Sequence, residues 1–176
     1  FDLPAVQRKK VTAAFDGGLI SSDGGVVLLR GAERNLGLAD LLAARLSDRR
    51  DPARVIHRLA DMLRFRMLAI ACGYEDADDC DTLRFDPLFK MGVGHAPGSG
   101  RDLCSQPTMS RLENMATRID AARMTAALVD TFCRSFPKPP ATITLDIDDT
   151  CDPVHGHQQL SLFNAHYDTR CFLPIH

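Results

Sequence analysis

The sequence lacks several features that would assign it to a broad class at once. Its 176 residues contain no apolar run long enough for a membrane span, which takes about 20 residues. The first residues show no signal-peptide pattern, and the phosphate-binding pattern Gly-x-x-x-x-Gly-Lys is absent. We therefore predict a cytoplasmic protein with no membrane partner, and we do not expect a P-loop nucleotide-binding site.

The cysteines also lack the spacing of a redox or metal motif. The six cysteines form no Cys-x-x-Cys pair, and without an export signal we predict reduced thiols. The net charge of −2 indicates no class of partner, but its distribution is uneven. An acidic run at residues 75–81 follows an arginine-rich segment that contains Arg45, Arg49, Arg50, Arg54, Arg58, Arg64 and Arg66.

Apolar residues spaced by three and four predict helices through most of the chain. The predicted helices are a pair within 26–46 that bends near Gly37, a long helix from Asp51-Pro52 to Gly73, short helices at 78–85 and 87–91, and a long helix over 105–133. The proline-rich run 137–140 ends the last helix. We predict an α+β fold, with a mainly helical region over 1–136 and a second, incomplete domain over 141–176.

Residues 143–150 carry the strongest chemical signal. Aliphatic residues alternate with polar ones in the sequence Ile-Thr-Leu-Asp-Ile-Asp-Asp-Thr, and this period of two predicts a buried β-strand. Asp146 and Asp148 would then share one face. Buried carboxylates are costly unless a cation lies between them, and Mg²⁺ is often held by one or two of them. The alternative is that these residues only open a turn into Cys151-Asp152-Pro153.

Two chemistries fit this acidic segment. In a haloacid-dehalogenase-type phosphatase, Asp146 would be the nucleophile and Asp148 a general acid/base. In a ribonuclease H-like nuclease, one Asp would share two metal ions with later carboxylates. The phosphatase strand is normally followed by a helix. Here the sequence predicts a polar turn and two more strands, at 160–167 and 171–176, and this antiparallel pattern favours the nuclease.

Two segments are candidates for DNA contacts. Residues 105–112 resemble the recognition segment of a helix-turn-helix, in which Thr108, Ser110 and Arg111 suit phosphate and base-edge contacts. The alternative is a helix cap formed by Ser110 and Glu113. A second candidate is the arginine cluster of Arg49, Arg50, Arg54 and Arg58. Such a cluster is either a solvated face or a contact to the DNA backbone.

Five blocks of this sequence resemble one group of DDE transposases from bacterial insertion sequences. The longest is Ala-Cys-Gly-Tyr-Glu-Asp-Ala-Asp-Asp-Cys-Asp-Thr-Leu-Arg-Phe-Asp-Pro at 71–87. The others follow in the family's order at 105–114, 146–150, 156–158 and 163–167. The resemblance covers essentially the whole chain.

The resemblance implies a ribonuclease H-like catalytic domain with an Asp-Asp-Glu triad. It further implies two divalent metals (Mg²⁺ or Mn²⁺), DNA strand cleavage and transfer, and a bacterial, nucleoid-associated protein when bound to DNA. The partners would be double-stranded DNA, as transposon ends and target, and other copies in a homo-oligomer on DNA. Asp148 matches the first triad residue because Asp148-Asp149-Thr150 fits the usual context, with Asp146 as the alternative. Both are candidate metal ligands.

We expect the chain to be a piece of a longer protein. It has no initiator Met, and residues 171–176 stop inside a predicted strand. The second Asp and the Glu of the triad would lie beyond His176, so we expect this fragment to bind DNA without cutting it. A non-catalytic DNA-binding fragment therefore remains a second alternative.

Overall fold

A computed structural model describes residues 2–6, 9–12, 17–156 and 158–174. The chain divides into two compact units, Phe1–Arg134 and Ser135–His176, called here the helical unit and the C-terminal unit. The first combines helices with a strand pair, and the second holds a three-stranded antiparallel sheet. This mixture agrees with the predicted α+β class.

The helical unit opens with a strand pair that the sequence did not predict. Strands β1 (Asp2–Val6) and β2 (Lys9–Thr12) pair antiparallel. The helices that follow are α1 (Val26–Leu36), α2 (Leu38–Ala43), α3 (Leu59–Ala71), α4 (Cys80–Leu83), α5 (Pro87–Val93), α6 (Gln106–Glu113) and α7 (Arg118–Arg134). Among the described residues, no helix has both the length and the apolar character of a membrane span.

The predicted bend at Gly37 is confirmed. Gly37 has φ +62°, a left-handed conformation that glycine adopts without steric cost. Its N–H donates to the Glu33 carbonyl at 2.7 Å and closes α1. The buried Glu33 carboxylate then accepts the N–H groups of Leu38 and Ala39 at 3.2 and 3.1 Å, which satisfies two free donors at the start of α2.

The long helix predicted from Asp51 begins eight residues late, and that prediction is wrong in its first part. Asp51 does cap a turn, since its carboxylate accepts the Ala53 N–H at 3.0 Å. That turn is a short 3₁₀ helix, Pro52–Arg54. The chain then extends until α3 begins at Leu59. Arg101 donates to the Ile56 carbonyl at 2.9 Å, so a contact distant in sequence holds this backbone outside the helix.

The long helix predicted before the proline run is in fact two helices, α6 and α7. The Thr117 hydroxyl accepts the Asp120 N–H at 3.2 Å, and Asp120 in turn accepts the N–H and hydroxyl of Thr117 at 3.0 and 2.6 Å. This reciprocal cap starts a new helix. The cap predicted from Ser110 and Glu113 is wrong, because Ser110 lies inside α6 and Glu113 accepts from Arg66 Nε at 2.6 Å.

The core of the helical unit lies where α1, α3, α5 and α6 meet. Phe65 on α3, Phe89 on α5 and Met109 on α6 are almost completely buried. The Phe65 and Phe89 rings meet edge to face at 5.9 Å, and Tyr74 meets Phe89 in the same way at 6.0 Å. Burying such side chains contributes roughly 1.5–3 kcal/mol each, so this cluster holds the four helices in place.

The C-terminal unit is built on one central strand. Strand β5 (Thr169–Phe172) pairs antiparallel with both β3 (Asp152–Pro153) and β4 (Leu162–Asn164), so the order is β3-β5-β4. Cys171 lies opposite Pro153 on one side and Leu162 on the other. Two strands follow the polar turn as predicted, but β4 is shorter than 160–167, and β5 begins at Thr169, inside the turn predicted before 171–176. Ile175 and His176 lie outside the described residues.

Residues 143–150 do not form the predicted buried strand. They have no regular secondary structure apart from a bridge at Asp149. Ile143, Leu145 and Ile147 are 52, 80 and 71% exposed. A strand needs a neighbour for its N–H and C=O groups, and among the described residues this segment reaches the sheet through the Thr150 N–H, which donates to the Pro174 carbonyl at 3.1 Å. The alternation of apolar and polar residues therefore assigns side chains to the two faces of a sheet only when the segment is paired with a neighbouring strand.

Candidate functional site

The acidic segment places its carboxylates on the surface. Asp146, Asp148 and Asp149 are exposed, and the Asp149 N–H donates to Asp148 Oδ1 at 2.9 Å. In the stretches 17–156 and 158–174, no group of three or more His, Cys, Asp or Glu side chains is arranged to hold a metal ion. The residues described here therefore do not form a two-metal site by themselves.

A tyrosine from the β4–β5 turn lies within the electrostatic reach of this segment. The Asp149 carboxylate is the main cause that raises the pKa of Tyr167, with burial and Cys151 as further causes. The Tyr167 ring contacts the His166 ring edge to face at 4.8 Å. Both residues belong to the block 163–167 that the sequence shares with DDE transposases, but sequence reasoning gave them no role.

The helical unit contains a groove that gathers most of the predicted DNA-contact residues. It has a volume of about 720 Å³ and lies between the extended stretch before α3, the end of α4 and the first turns of α6. Its lining side chains are Arg50, Asp51, Arg54, Val55, Ile56, His57, Arg84, Ser105, Thr108 and Arg111. We call this surface the arginine groove.

Four of the six predicted residues line the arginine groove and two do not. Arg50, Arg54, Thr108 and Arg111 are among its lining residues, although the arginine cluster and α6 are about 50 residues apart in the chain. Arg49 is exposed outside it, and Ser110 accepts from Gln106 Nε2 at 3.1 Å on α6. The tertiary structure thus brings two separate sequence candidates to one surface.

Arg50 is already occupied by contacts within the protein. It donates to both carboxylate oxygens of Asp48, at 2.8 and 2.7 Å, and to the His57 carbonyl at 2.9 Å. Hydrogen bonding to Asp48 raises the pKa of Arg50 and lowers that of Asp48. This bidentate pair is close to neutral as a unit, so Arg50 positions the stretch before α3 more than it offers charge to a ligand.

Arg84 is a groove residue that the sequence analysis missed. Its guanidinium lies 5.0 Å from the centre of the Phe85 ring, and its buried Nε has no hydrogen-bond partner among the described atoms. An unpaired buried donor costs about 1–3 kcal/mol. The available signal was the position of Arg84 directly after Leu83, a buried residue of α4, which places a cation beside the core.

His57 is the second missed residue. Burial lowers the pKa of His57, and the positive charges of Arg101 and Arg84 lower it further. Folding therefore favours the neutral imidazole. The side chain lines the arginine groove and also a small cavity of about 10 Å³ beside Phe65 and Cys104. The titratable imidazole of His57 therefore lies between the core and the cationic surface of the arginine groove.

The position of α6 differs from that of a recognition helix. A helix-turn-helix joins its helices through a turn of about 3–4 residues, whereas residues 94–105 connect α5 to α6. The short connection, 114–117, lies on the other side, between α6 and α7. The predicted recognition segment is therefore not preceded by the short turn that this motif needs.

The comparisons with known proteins identify one family. The family model described as transposase DDE domain group 1 matches residues 3–176. No curated protein and no solved structure matched the chain. The family match spans both the arginine groove and the acidic segment, and proteins of this family generally use divalent metals to act on DNA. The chain belongs to the DDE transposase family.

Proposed function

We propose that this chain supplies DNA binding and the first catalytic carboxylate to a transposase that cleaves DNA and transfers strands. The observation that carries the proposal is the family match over residues 3–176, which includes the acidic segment where it enters an antiparallel sheet. Asp148 is proposed as the first residue of the Asp-Asp-Glu triad and Asp146 as the alternative. The proposed division is a DNA-binding and assembly region at 1–136 and a catalytic domain beginning at 141.

The connection after the acidic segment supports a ribonuclease H-like core over a phosphatase. A dehalogenase-type site continues from its Asp strand into a helix. Here Thr150 is followed by β3, and the described residues from 151 to 174 contain strands and turns but no helix. β3, β5 and β4 pair antiparallel, and antiparallel pairing is expected of the opening strands of a ribonuclease H-like domain, although β5 rather than β4 lies in the middle of this sheet. The phosphatase has no comparable support.

The described residues do not fit a two-metal centre by themselves. Bridging two metal ions needs several carboxylates around one point. Asp146 and Asp148 are exposed, and the described residues lack a cluster of three suitable ligands. We therefore propose that Asp148 contributes one ligand in the full-length protein and that these 176 residues alone do not cleave DNA.

Strand cleavage by the full-length transposase tests the assignment of the triad residue. Asp148→Asn is expected to abolish cleavage while transposon-end binding persists, because one neutral amide replaces a carboxylate that balances metal charge. Asp146→Asn is expected to reduce cleavage less. Asp152→Asn, an exposed change on β3, is the matched control and is expected to keep activity.

Three outcomes would contradict parts of the proposal. An inactive Asp146→Asn variant with an active Asp148→Asn variant would move the triad residue to Asp146. Full activity in both variants would remove this segment from catalysis. Release of phosphate from an aryl phosphate, lost in Asp146→Asn, would favour the phosphatase.

A non-catalytic DNA-binding fragment is the second candidate function, and the arginine groove favours it for this chain. Double-stranded DNA carrying a transposon end is the proposed partner. A gel-shift and nicking assay on the 176-residue chain with Mg²⁺ is expected to show retarded duplex and no cut strand. Cleavage by this chain would contradict the proposed inactivity, and absence of any shift would contradict the DNA partner.

A further inference from the structure

The cations of the arginine groove differ in how far they are already neutralised. Arg50 is held by both oxygens of Asp48. Arg54 lies 4.0 Å from Asp51, and its side chain is 88% exposed, a geometry that contributes little. Arg84 and Arg111 lie within 4.0 Å of no carboxylate that the structure describes. Arg84, Arg111 and the weakly paired Arg54 are therefore the groove cations whose charge remains available to a ligand.

The neighbouring polar groups are suited to an anion. Arg111 Nη2 donates to Thr108 Oγ1 at 3.1 Å, and Thr108 Oγ1 lies 3.3 Å from Ser105 Oγ. Ser105 precedes α6 and Thr108 lies in its first turn, where the Asp81 carboxylate already accepts the Gln106 N–H at 2.9 Å, so the hydroxyls rather than the helix N–H groups are the polar groups that face a ligand. Arg84 adds a buried Nε that no described atom pairs. Hydroxyls and guanidinium groups thus converge on one groove.

His57 faces a mostly positive surrounding. The guanidinium groups whose charges act on it are those of Arg101, Arg84 and Arg50. On the side of the core, Asp61 and Cys104 line a cavity with it, but Asp61 is paired with Arg64 at 3.3 Å. Burial and the cations lower the pKa of His57 and keep the free imidazole neutral. A bound anion would reverse this balance, because a negative charge favours the imidazolium.

We propose that the arginine groove seats one phosphodiester of the DNA backbone, held by Arg84, Arg111 and the Thr108 hydroxyl, and that His57 takes up a proton when the phosphate binds. The proposal rests on the DNA partner of the proposed function and names the contact within it. The charge is complementary, and a groove of about 720 Å³ lies in the size range of about 300–1,000 Å³ that holds small ligands. Binding should therefore weaken with salt and with rising pH.

The salt dependence of duplex binding tests the two arginines. Fluorescence anisotropy of a labelled duplex with the 176-residue chain gives the slope of log K against log salt, which changes by about 0.9 for each phosphate that the protein neutralises. Arg84→Ala and Arg111→Ala are each expected to weaken binding and to reduce the slope by no more than about this amount, because both arginines hold the same phosphate. Arg34→Ala removes an exposed arginine of α1 outside the groove and is expected to leave the slope unchanged.

The pH dependence tests the histidine. Between the His57 pKa of the free and the bound protein, uptake of one proton makes affinity fall up to about tenfold for each unit of rising pH. His57→Gln is expected to lose this component. His155→Gln, an exposed change in the C-terminal unit, is expected to keep it.

A titration with inorganic phosphate separates the groove from DNA in general. Histidine NMR signals of the wild-type chain are expected to show the pKa of His57 rising as phosphate is added, with a smaller or absent rise in Arg111→Ala. Arg111 is exposed on α6, so this variant is expected to fold normally, which a thermal melt checks. Should Arg84→Ala unfold, Arg84→Lys replaces it, with a partial loss of affinity expected.

The outcomes distinguish this proposal from the proposed function. Duplex binding with unchanged slopes in both arginine variants, or with a pH dependence that His57→Gln retains, would overturn the groove contact while leaving the DNA partner in place. Absence of duplex binding at every salt concentration would overturn the DNA partner itself. Reduced slopes in Arg84→Ala and Arg111→Ala with normal binding by Arg34→Ala would support both.

Discussion

The helical unit and the C-terminal unit use their apolar residues differently. In the helical unit Phe65, Phe89 and Met109 are almost completely buried. In the C-terminal unit Leu145 and Leu160 are 80 and 90% exposed, and the buried side chains among its described residues are Ser161 and Cys171. Helices satisfy their backbone hydrogen bonds locally and can then pack, whereas strands depend on partners distant in sequence. The difference explains why the same kind of sequence pattern predicted one unit better than the other.

The largest expected effect comes from removing one apolar side chain from each unit. Phe65→Ala is expected to lower the free energy of unfolding by about 3–5 kcal/mol, because it leaves a cavity among α3, α5 and α6. Leu145→Ala is expected to change it by less than about 0.5 kcal/mol, since an exposed side chain has little packing to lose. Urea unfolding followed by circular dichroism measures both. Similar losses in the two variants would mean that the acidic segment is packed in solution.

The next test concerns how closely helices approach within the helical unit. A Cβ added at Gly92 would lie 2.7 Å from Leu68 Cδ1 and 3.0 Å from Val26 Cγ1. Gly92→Ala is therefore expected to cost about 1–3 kcal/mol through overpacking between α1, α3 and α5. Gly31→Ala is the matched control, because no atom lies within 4 Å of the added Cβ and α1 should gain about 0.5–1 kcal/mol. If both variants changed the free energy of unfolding in the same direction, the close packing around Gly92 would be contradicted.

A third test uses acid and the cap of α7. Hydrogen bonds from Thr117, followed by those from Ser47, hold the pKa of Asp120 far below its ordinary value of 3.8. A carboxyl group whose pKa is lower in the folded than in the unfolded protein stabilises the fold at pH values above its unfolded pKa. This stabilisation is lost as the pH falls from the unfolded pKa through the folded pKa. Asp120→Asn is expected to unfold at lower urea near neutral pH, with a smaller difference from wild type in acid. A difference that stays constant with pH would contradict this role.

The smallest expected effect is the response of the C-terminal unit to metal. With one exposed acidic segment and no described three-ligand cluster, this chain should bind Mg²⁺ weakly. Stabilisation follows RT ln(1 + [L]/Kd), so it stays below about 0.4 kcal/mol while Mg²⁺ remains below its Kd. Thermal melts with and without Mg²⁺, repeated with Asp148→Asn, measure it. A clear rise that Asp148→Asn removes would show a metal site already formed in these residues.

The predictions that succeeded depended on local chemistry. Gly37 ends α1 because a left-handed conformation favours glycine, and Gly73, with φ +91°, follows α3 for the same reason. Most of the helices predicted in the first 136 residues are present, although Asp51 caps a shorter element than expected and the helix predicted over 105–133 is divided into α6 and α7. Residue spacing alone indicated these helices, because a helix takes its period from its own backbone.

The acidic segment shows where local patterns were insufficient. The alternation of Ile143, Leu145 and Ile147 with polar residues predicted a buried strand, and the described residues contain no partner strand that pairs along it. The block 71–87 resembled the family, and the family model confirmed that resemblance. The role of Asp148 as the first triad residue stays a prediction. A metal site around Asp148 would need further carboxylate ligands, and the described residues place no such cluster there.

The sequence by itself determined the family and most of the helices. Only the tertiary structure decided that Arg54 and Arg111 share a groove with Arg84 and His57, and that Arg50 is neutralised by Asp48. The physical reason is the separation along the sequence of the residues that interact. Periodicity and caps involve residues a few positions apart, whereas the charge available at a surface depends on which side chains the packed helices bring together.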